Sequence, residues 1–131
     1  EVAGMNIKRS LLVVLTIALF TSTVHAGHIY KEKEYQECWC NKAGRVTEYV
    51  LPDKTRVDCL TDEYAIEFDF AEKWAEAIGQ SLHYAEMTNR KPGIVFIIEH
   101  PDDERHLRKL EPIARKNNIK IWILRSSDME N

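Results

Sequence analysis

Short runs of β-branched and aromatic residues alternate with stretches of helix-forming residues along most of this chain, and their order constrains the fold more than any other feature. Three runs follow one another with only tight turns between them, which predicts a three-stranded meander. Each of the two later runs follows a helix-forming stretch. The predicted strands are residues 45–51, 56–60, 64–70, 94–98 and 119–124. The predicted helices are residues 29–41, 71–88 and 101–117.

The helix at 71–88 is the strongest of these predictions, because Trp74, Ile78 and Leu82 recur on one face at helical spacing. This apolar stripe is expected to face the core. The run at 94–98 is apolar almost throughout, as in a strand that is covered on both faces. The order of elements therefore predicts the α/β (α+β) fold class, with a mixed sheet flanked by helices.

The start of the chain predicts a secretory signal peptide. Two basic residues precede an apolar run at 11–20, and small residues lead to Ala26, after which we expect cleavage. An uncleaved anchor is the disfavoured alternative, because this run is about half of the ~20 residues that a membrane-spanning helix needs. The four residues before Met5 fit no signal pattern and are interpreted as an upstream extension. The expected product is a single exported domain, residues 27–131, that is periplasmic or secreted.

The cysteines fit an oxidising compartment. There are three, Cys38, Cys40 and Cys59, and a bridge between the first two would close a very tight ring. Cys59 is therefore expected to pair with either Cys38 or Cys40, leaving one buried thiol. A zinc site is the weaker alternative, because the Cys-Trp-Cys motif lacks a second ligand pair at the usual spacing.

The charge of the chain excludes a strongly basic nucleic-acid binder. The net charge is −3, and removing residues 1–26 takes away two basic residues and one acidic residue, which leaves −4. Electrostatic capture of phosphates usually requires a basic face. Any contact with nucleic acid is therefore expected to be local, or to involve a metal ion.

Carboxylates collect on neighbouring predicted strands. Glu67 and Asp69 are two residues apart in one strand, so their side chains share a face. Asp58 lies in the preceding strand, where antiparallel pairing brings its carboxylate towards that of Glu67. Glu48 lies in the strand before that. Converging like charges are destabilising unless they are solvated or bridged, and a hard divalent cation is the natural bridge.

The following helix presents a polar face. Lys73, Ala77, Gln80 and Tyr84 fall within a stripe roughly 60° wide at about 100° per residue. If this face is turned towards the strand carboxylates, Lys73 is placed to orient a water molecule. Gln80 and Tyr84 are then placed to hydrogen-bond the site or a substrate.

Residues 56–84, RVDCLTDEYAIEFDFAEKWAEAIGQSLHY, resemble the PD-(D/E)XK, or restriction-endonuclease-like, nuclease superfamily. Gln80-Ser81-Leu82-His83-Tyr84 is similar to the Q-x-x-x-Y element of its small members. The predicted order of helix, three strands, helix and strand is similar to the core of that family, with a further helix and strand after it. The resemblance covers residues 38–124, or nearly all of the expected mature chain.

The resemblance implies that Asp58 and Glu67 ligate Mg²⁺ or Mn²⁺, together with the backbone carbonyl of Phe68, and that Glu48 is an additional acid. The chain departs from the family pattern at one point. The family has a lysine two residues after the glutamate, where this chain has Asp69. Lys73, one helical turn further on, is the candidate for a migrated lysine, and Asp69 is then a further ligand or a supporting residue.

These patterns lead to two hypotheses of different classes. The first is an exported, Mg²⁺-dependent endonuclease, a hydrolase of phosphodiester bonds in DNA or RNA, with nucleic acid as its partner. Its catalytic residues are Glu48, Asp58, Glu67 and Lys73. The second is a catalytically inactive module that keeps the nuclease fold and binds a protein or nucleic-acid partner. The displaced lysine and the acidic charge favour this alternative.

Overall fold

The structure of the chain, a computed structural model, describes residues 27–42 and 44–130. The predicted upstream extension and signal peptide, together residues 1–26, lie outside the described residues. The helices are α1 (Glu32–Cys40), α2 (Trp74–Thr88) and α3 (Glu104–Lys116). The strands are β1 (Val46–Val50), β2 (Arg56–Leu60), β3 (Tyr64–Phe70), β4 (Lys91–Ile98) and β5 (Lys120–Arg125). Short 3₁₀ turns occupy Ala71–Lys73, Pro101–Asp103 and Ser126–Glu130.

The five strands form one mixed sheet in the order β1-β2-β3-β4-β5. The first three are antiparallel neighbours, as expected of a meander joined by short turns. β3, β4 and β5 run parallel, because α2 and α3 each return the chain to the starting edge of the sheet. The predicted α/β class with a mixed sheet and three helices is confirmed.

Helices cover both faces of the sheet. Tyr35 and Cys40 of α1 pack with Ile66, Phe68 and other residues of one face. α2 and α3 pack on the opposite face, against alternate residues of β4. Apolar side chains on both faces of β4 are therefore buried, as its sequence predicted. β4 begins at Lys91, three residues earlier than expected. Pro92 is tolerated there because pairing with β5 starts only at Gly93.

The buried side of α2 agrees only in part with the prediction, since Trp74 and Ile78 of the expected apolar stripe are partly buried against the core. Ala77, Ser81 and Tyr84 are its buried residues, whereas Leu82 of the expected apolar stripe is 36% exposed. The small residues Ala77 and Ser81 let the helix approach the sheet closely, and the Ser81 hydroxyl is satisfied by donating to the Ile78 carbonyl at 3.0 Å. The face that was predicted to be polar is thus the one that meets the strands.

One disulfide joins Cys40, at the end of α1, to Cys59 of β2. It is one of the two pairings that the sequence allowed. The remaining thiol, on Cys38, is exposed, so the expectation of a buried free cysteine is wrong. Two residues along a helix turn the side chain by about 200°, so burying Cys40 places Cys38 on the solvent side.

The Glu99 carboxylate fixes the segment before α1. Its side chain is only 2% exposed and bonds to the ring Nδ1 of His28 at 2.9 Å. It also accepts the backbone N–H groups of Ile29 and Tyr30, and the hydroxyl of Tyr35 at 2.8 Å. Because these N–H groups bond to Glu99, α1 begins at Glu32 rather than at the predicted residue 29.

Candidate functional site

The pairing of β2 with β3 ends where the predicted carboxylates face each other. The strands pair at Leu60↔Ala65 and Cys59↔Ile66, and the next position sets Asp58 opposite Glu67. There the Asp58 side chain takes the place of a backbone acceptor, because its Oδ2 accepts the N–H of Phe68 at 2.8 Å. The expectation that antiparallel pairing brings Asp58 close to Glu67 is met.

The carboxyls of Asp58 and Glu67 are in contact and poorly solvated. Burial, the Asp58 charge and a hydrogen bond shared with Asp58 raise the pKa of Glu67 to about 10. Burial also raises the pKa of Asp58 to about 7, although the Phe68 N–H opposes this. Among the described residues, no N–H or hydroxyl donor reaches the buried Oε2 of Glu67. Two acceptors that face each other in this way need a proton or a cation between them.

Tyr84 and Gln80 of α2 complete the inner wall. Tyr84 is 5% exposed, and burial, followed by the charges of Glu67 and Asp58, raises the pKa of its hydroxyl to about 12. The side chain of Gln80 lies near this hydroxyl and opposes the rise in its pKa. The spacing of four residues puts both side chains on one helical face, which the structure turns towards the strand carboxylates.

Lys73 and Asp69 form a second part of the site. Lys73 ends the 3₁₀ turn after β3, and its Nζ lies 3.7 Å from Oδ1 of Asp69, whose side chain is 3% exposed. Burial raises the pKa of Asp69 to about 7 even though the Lys73 charge opposes the shift. In turn, the Asp69 charge raises the pKa of Lys73. Lys73 therefore remains an ammonium group at the edge of the acidic cluster.

Glu48 occupies an unusual backbone position. Its φ is +53°, inside β1, between the pairs Thr47↔Cys59 and Tyr49↔Val57. A left-handed conformation costs a residue other than glycine roughly 1–2 kcal/mol. Glu48 lies opposite Asp58 in the register, and its carboxylate is 3.2 Å from the guanidinium of Arg56. The sequence placed Glu48 among the site acids, and the structure puts it at the rim.

Sequence reasoning missed two site residues on α1. The pKa of Glu32 is raised, mainly by burial and also by the charge of Glu48, while Lys73 opposes the shift. Gln36 is buried and donates to Oε1 of Glu32 at 3.2 Å. A glutamine in the buried stripe of a helix, four residues after a glutamate, was the available signal. Nothing in the sequence indicated which strands that stripe would meet.

Residues of α1, β1, β2 and α2 enclose an open, largely polar cleft of about 410 Å³, which Glu67, Asp69 and Lys73 do not line. Acids line its inner part, and two basic side chains stand on the wall formed by the β1–β2 turn and β2. The lining residues are Glu32, Gln36, Glu48, Lys54, Thr55, Arg56, Asp58 and Tyr84.

The donor set of the cleft suits a hard cation better than a soft one, because carboxylate oxygens dominate it. Within residues 27–42 and 44–130, no three His, Cys, Asp or Glu side chains are grouped so that they could hold a metal ion by themselves. Mg²⁺ commonly binds through one or two carboxylates and completes its shell with water and substrate phosphates. The Asp58–Glu67 pair, with the unpartnered Oε2 of Glu67, fits that pattern.

No family model, curated protein or solved structure matches the chain. The disulfide is consistent with an extracellular or periplasmic location. In the part of the chain that the structure describes, no helix has the length and apolar character needed to cross a membrane.

Proposed function

We propose that this protein is a metal-dependent nuclease of the restriction-endonuclease-like type, which hydrolyses phosphodiester bonds in DNA or RNA. The observation that carries the proposal is the buried Asp58–Glu67 pair, in which Oε2 of Glu67 has no donor among the described residues. A structural acid pair would be expected to have donors for its oxygens. A buried pair that lacks such a donor, and of which Asp58 lines the cleft, is suited to take up a cation.

The order of elements supports the family assignment. A helix precedes three antiparallel strands, and a second helix leads to a parallel strand. The acids lie on the second and third strands, and Gln80 and Tyr84 lie on the helix that follows. Glu32 of α1 adds an acid from the first helix of this core.

Asp58 and Glu67 would hold the Mg²⁺ or Mn²⁺ ion, with the Phe68 carbonyl as the third ligand that the resemblance implies. When bound, such an ion lowers the pKa of a coordinated water and neutralises charge that develops on the phosphate. Lys73 acts as a donor rather than a base, because the Asp69 charge keeps it protonated. It holds the attacking water or a phosphate oxygen by charge-assisted hydrogen bonding.

The remaining side chains position the pair. Tyr84 is buried beside Asp58 and Glu67, with Gln80 near its hydroxyl, and limits their access to water. Glu48 and Arg56 form an ion pair at the rim, where the arginine can meet the substrate backbone. The cleft thus has an acidic inner end that needs a cation and an outer wall that favours phosphate.

The test is cleavage of plasmid DNA, single-stranded DNA and RNA with Mg²⁺, Mn²⁺ or EDTA. We expect metal-dependent cleavage that Glu67→Ala lowers at least about a hundredfold and Lys73→Ala lowers by about ten- to a hundredfold. Glu86→Gln, an exposed acid on α2, is the matched control and should retain full activity. Cleavage that EDTA leaves intact, or that survives Glu67→Ala, would refute this assignment.

A second readout does not depend on activity. Mg²⁺ should raise the midpoint of thermal unfolding of the wild-type protein, because a ligand that binds only the folded state stabilises it. Glu67→Gln should abolish this shift, and Glu86→Gln should not. An equal shift in all three proteins would show that the ion binds elsewhere.

A catalytically inactive module that binds a protein or nucleic acid is the second candidate. Asp69 in place of the family lysine favours it, together with the acidic net charge of the chain, −3. A folded protein that cuts no substrate with any metal would favour this alternative over the nuclease.

For the cellular location, we propose export directed by a signal peptide at residues 5–26, with cleavage after Ala26. The disulfide between Cys40 and Cys59 supports an oxidising destination. Sequencing the N-terminus of the protein recovered from the periplasm or the medium tests this. A first residue other than Gly27 would refute the cleavage site.

A further inference from the structure

Three partly buried aromatic rings lie next to one another where α1 packs on the sheet. The ring centroid of Trp39 lies 5.3 Å from that of Trp122, which lies 5.1 Å from that of Tyr64. These rings come from α1, β5 and β3. Tyr64 is on the face of β3 opposite Glu67 and Asp69, so this group is separate from the acidic cleft.

A cation accompanies each ring. The guanidinium carbon of Arg45 lies 4.3 Å from the centroid of Trp39. The ammonium groups of Lys120 and Lys91 lie 5.9 Å from the rings of Trp122 and Tyr64, respectively. Lys91 also pairs with Glu63, and Arg45 also donates to the Trp39 carbonyl. The rings and cations together are called the aromatic–cation surface. Arg45 and Lys120 thus carry positive charge that no carboxylate in the group offsets, whereas the net charge of the whole chain is −3.

Gly93 and the core fix the central ring in place. A Cβ atom on Gly93 would lie 2.7 Å from the Trp122 ring, so the indole seats directly against the backbone of β4. Glycine weakens the interior of a strand, and close approach of another group is a common reason for its presence. Trp39 packs edge-on against the fully buried Phe68 at 5.7 Å. The rings are therefore held in place, and a ligand would lose little affinity to ordering them.

We propose that the aromatic–cation surface binds single-stranded nucleic acid, whose bases stack on the rings while its phosphates meet Arg45, Lys91 and Lys120. Single strands present unpaired bases and regularly spaced negative charges, and this combination matches stacking rings interleaved with cations. A duplex keeps its bases inside and offers only phosphates. A neutral sugar needs no cations, and an acidic protein segment needs no stacking rings. The proposal goes beyond the acidic cleft and holds whether or not the cleft cuts phosphodiesters.

The test is fluorescence anisotropy with labelled 20-nucleotide DNA and RNA strands in EDTA, so that binding is measured without cleavage. We expect log K to fall with log salt concentration at a slope of roughly −2, because each of three phosphate contacts contributes about −0.7. Lys120→Gln should reduce the steepness of this slope by about 0.7, and Lys120→Glu should weaken binding about tenfold or more. Equal affinity for DNA and RNA would indicate recognition of shared base and phosphate chemistry, whereas a difference would identify the preferred strand.

Lys109→Glu is the matched control, because Lys109 is an exposed lysine 5.9 Å from the Trp74 ring on the other side of the sheet. It changes the same charge next to the same kind of ring. Circular dichroism should show that each variant is folded. If Lys120→Glu does not fold, Lys120→Gln is the variant that tests the proposal.

Three comparisons separate stacking from simple charge. An abasic oligomer of equal length and a duplex should each bind about tenfold more weakly than the single strand. Polyglutamate should not compete. Any one of four results would overturn the proposal. These are equal affinity for the abasic oligomer, equal weakening by Lys109→Glu and Lys120→Glu, competition by polyglutamate, and no binding at low salt.

Discussion

Replacing Glu67 with glutamine is expected to stabilise the protein at neutral pH. Glu67 is 5% exposed, and burial and neighbouring acids raise its pKa from the ordinary 4.5 to about 10. Between these pH values the folded protein keeps a proton that the unfolded chain has released. Folding therefore takes up a proton, and the free energy of unfolding falls as the pH rises. The loss grows with each pH unit above 4.5 and reaches roughly 3 kcal/mol at pH 7.

Glutamine keeps the shape of the side chain but does not titrate, so it removes this loss. The gain in the free energy of unfolding from Glu67→Gln should be as much as about 3 kcal/mol at pH 7 and under about 1 kcal/mol at pH 5. Urea unfolding in EDTA at pH 5, 6, 7 and 8, followed by tryptophan fluorescence, measures it. Glu86→Gln should show no such trend. A gain that does not grow with pH would mean that Glu67 is ionised in the folded protein, and the reasoning would fail.

Three further changes test the packing around the site. Glu48→Gly should raise the free energy of unfolding by about 1 kcal/mol, because glycine relieves the positive φ, and urea titration that shows a loss would contradict this. Glu99→Gln should cost about 1–3 kcal/mol at pH 7 by weakening a buried acceptor of several donors. Burial raises the pKa of Glu99, but its hydrogen bonds outweigh burial and lower the pKa below 4.5. The loss of stability caused by Glu99→Gln should therefore shrink as the pH falls below 4.5. A loss that stays constant from pH 7 to pH 3 would refute this. Cys40→Ser should lower the free energy of unfolding by about 3 kcal/mol, as expected for a disulfide between residues separated by 19 positions. Cys38→Ser should change it by less than about 0.5 kcal/mol, and equal effects of the two changes would show that the disulfide contributes little.

The order of elements was predictable from local patterns, because tight turns and β-branched runs specify a meander without reference to the rest of the chain. The contact between Asp58 and Glu67 was also predictable. It follows from the pairing of adjacent strands joined by a short turn. The hydrogen bond that the Phe68 N–H donates to Asp58 was not predictable, because it depends on where the two strands stop pairing.

The buried face of α2 shows where local reasoning fails. Hydrophobicity alone selected the stripe through Leu82, but the close approach of helix and sheet favours Ala77 and Ser81. The contribution of α1 to the acidic site could not be predicted from the sequence either. Glu32 enters the site only because α1 packs across β3, a contact between segments far apart in sequence, and no local pattern specifies that packing.

The short ladder between β2 and β3 has a consequence for how the molecule opens. The β1–β2 hairpin joins the rest of the sheet through Cys59↔Ile66 and Leu60↔Ala65, whereas β3 pairs with β4 along its whole length. Backbone amide hydrogens of the hairpin should therefore exchange with solvent through partial opening, whereas those of β4 should exchange only through global unfolding. The Cys40–Cys59 bridge tethers the hairpin during such openings. Asp58 and Glu67 lie on opposite sides of this seam, so a ligand held between them would join two cooperative units into one.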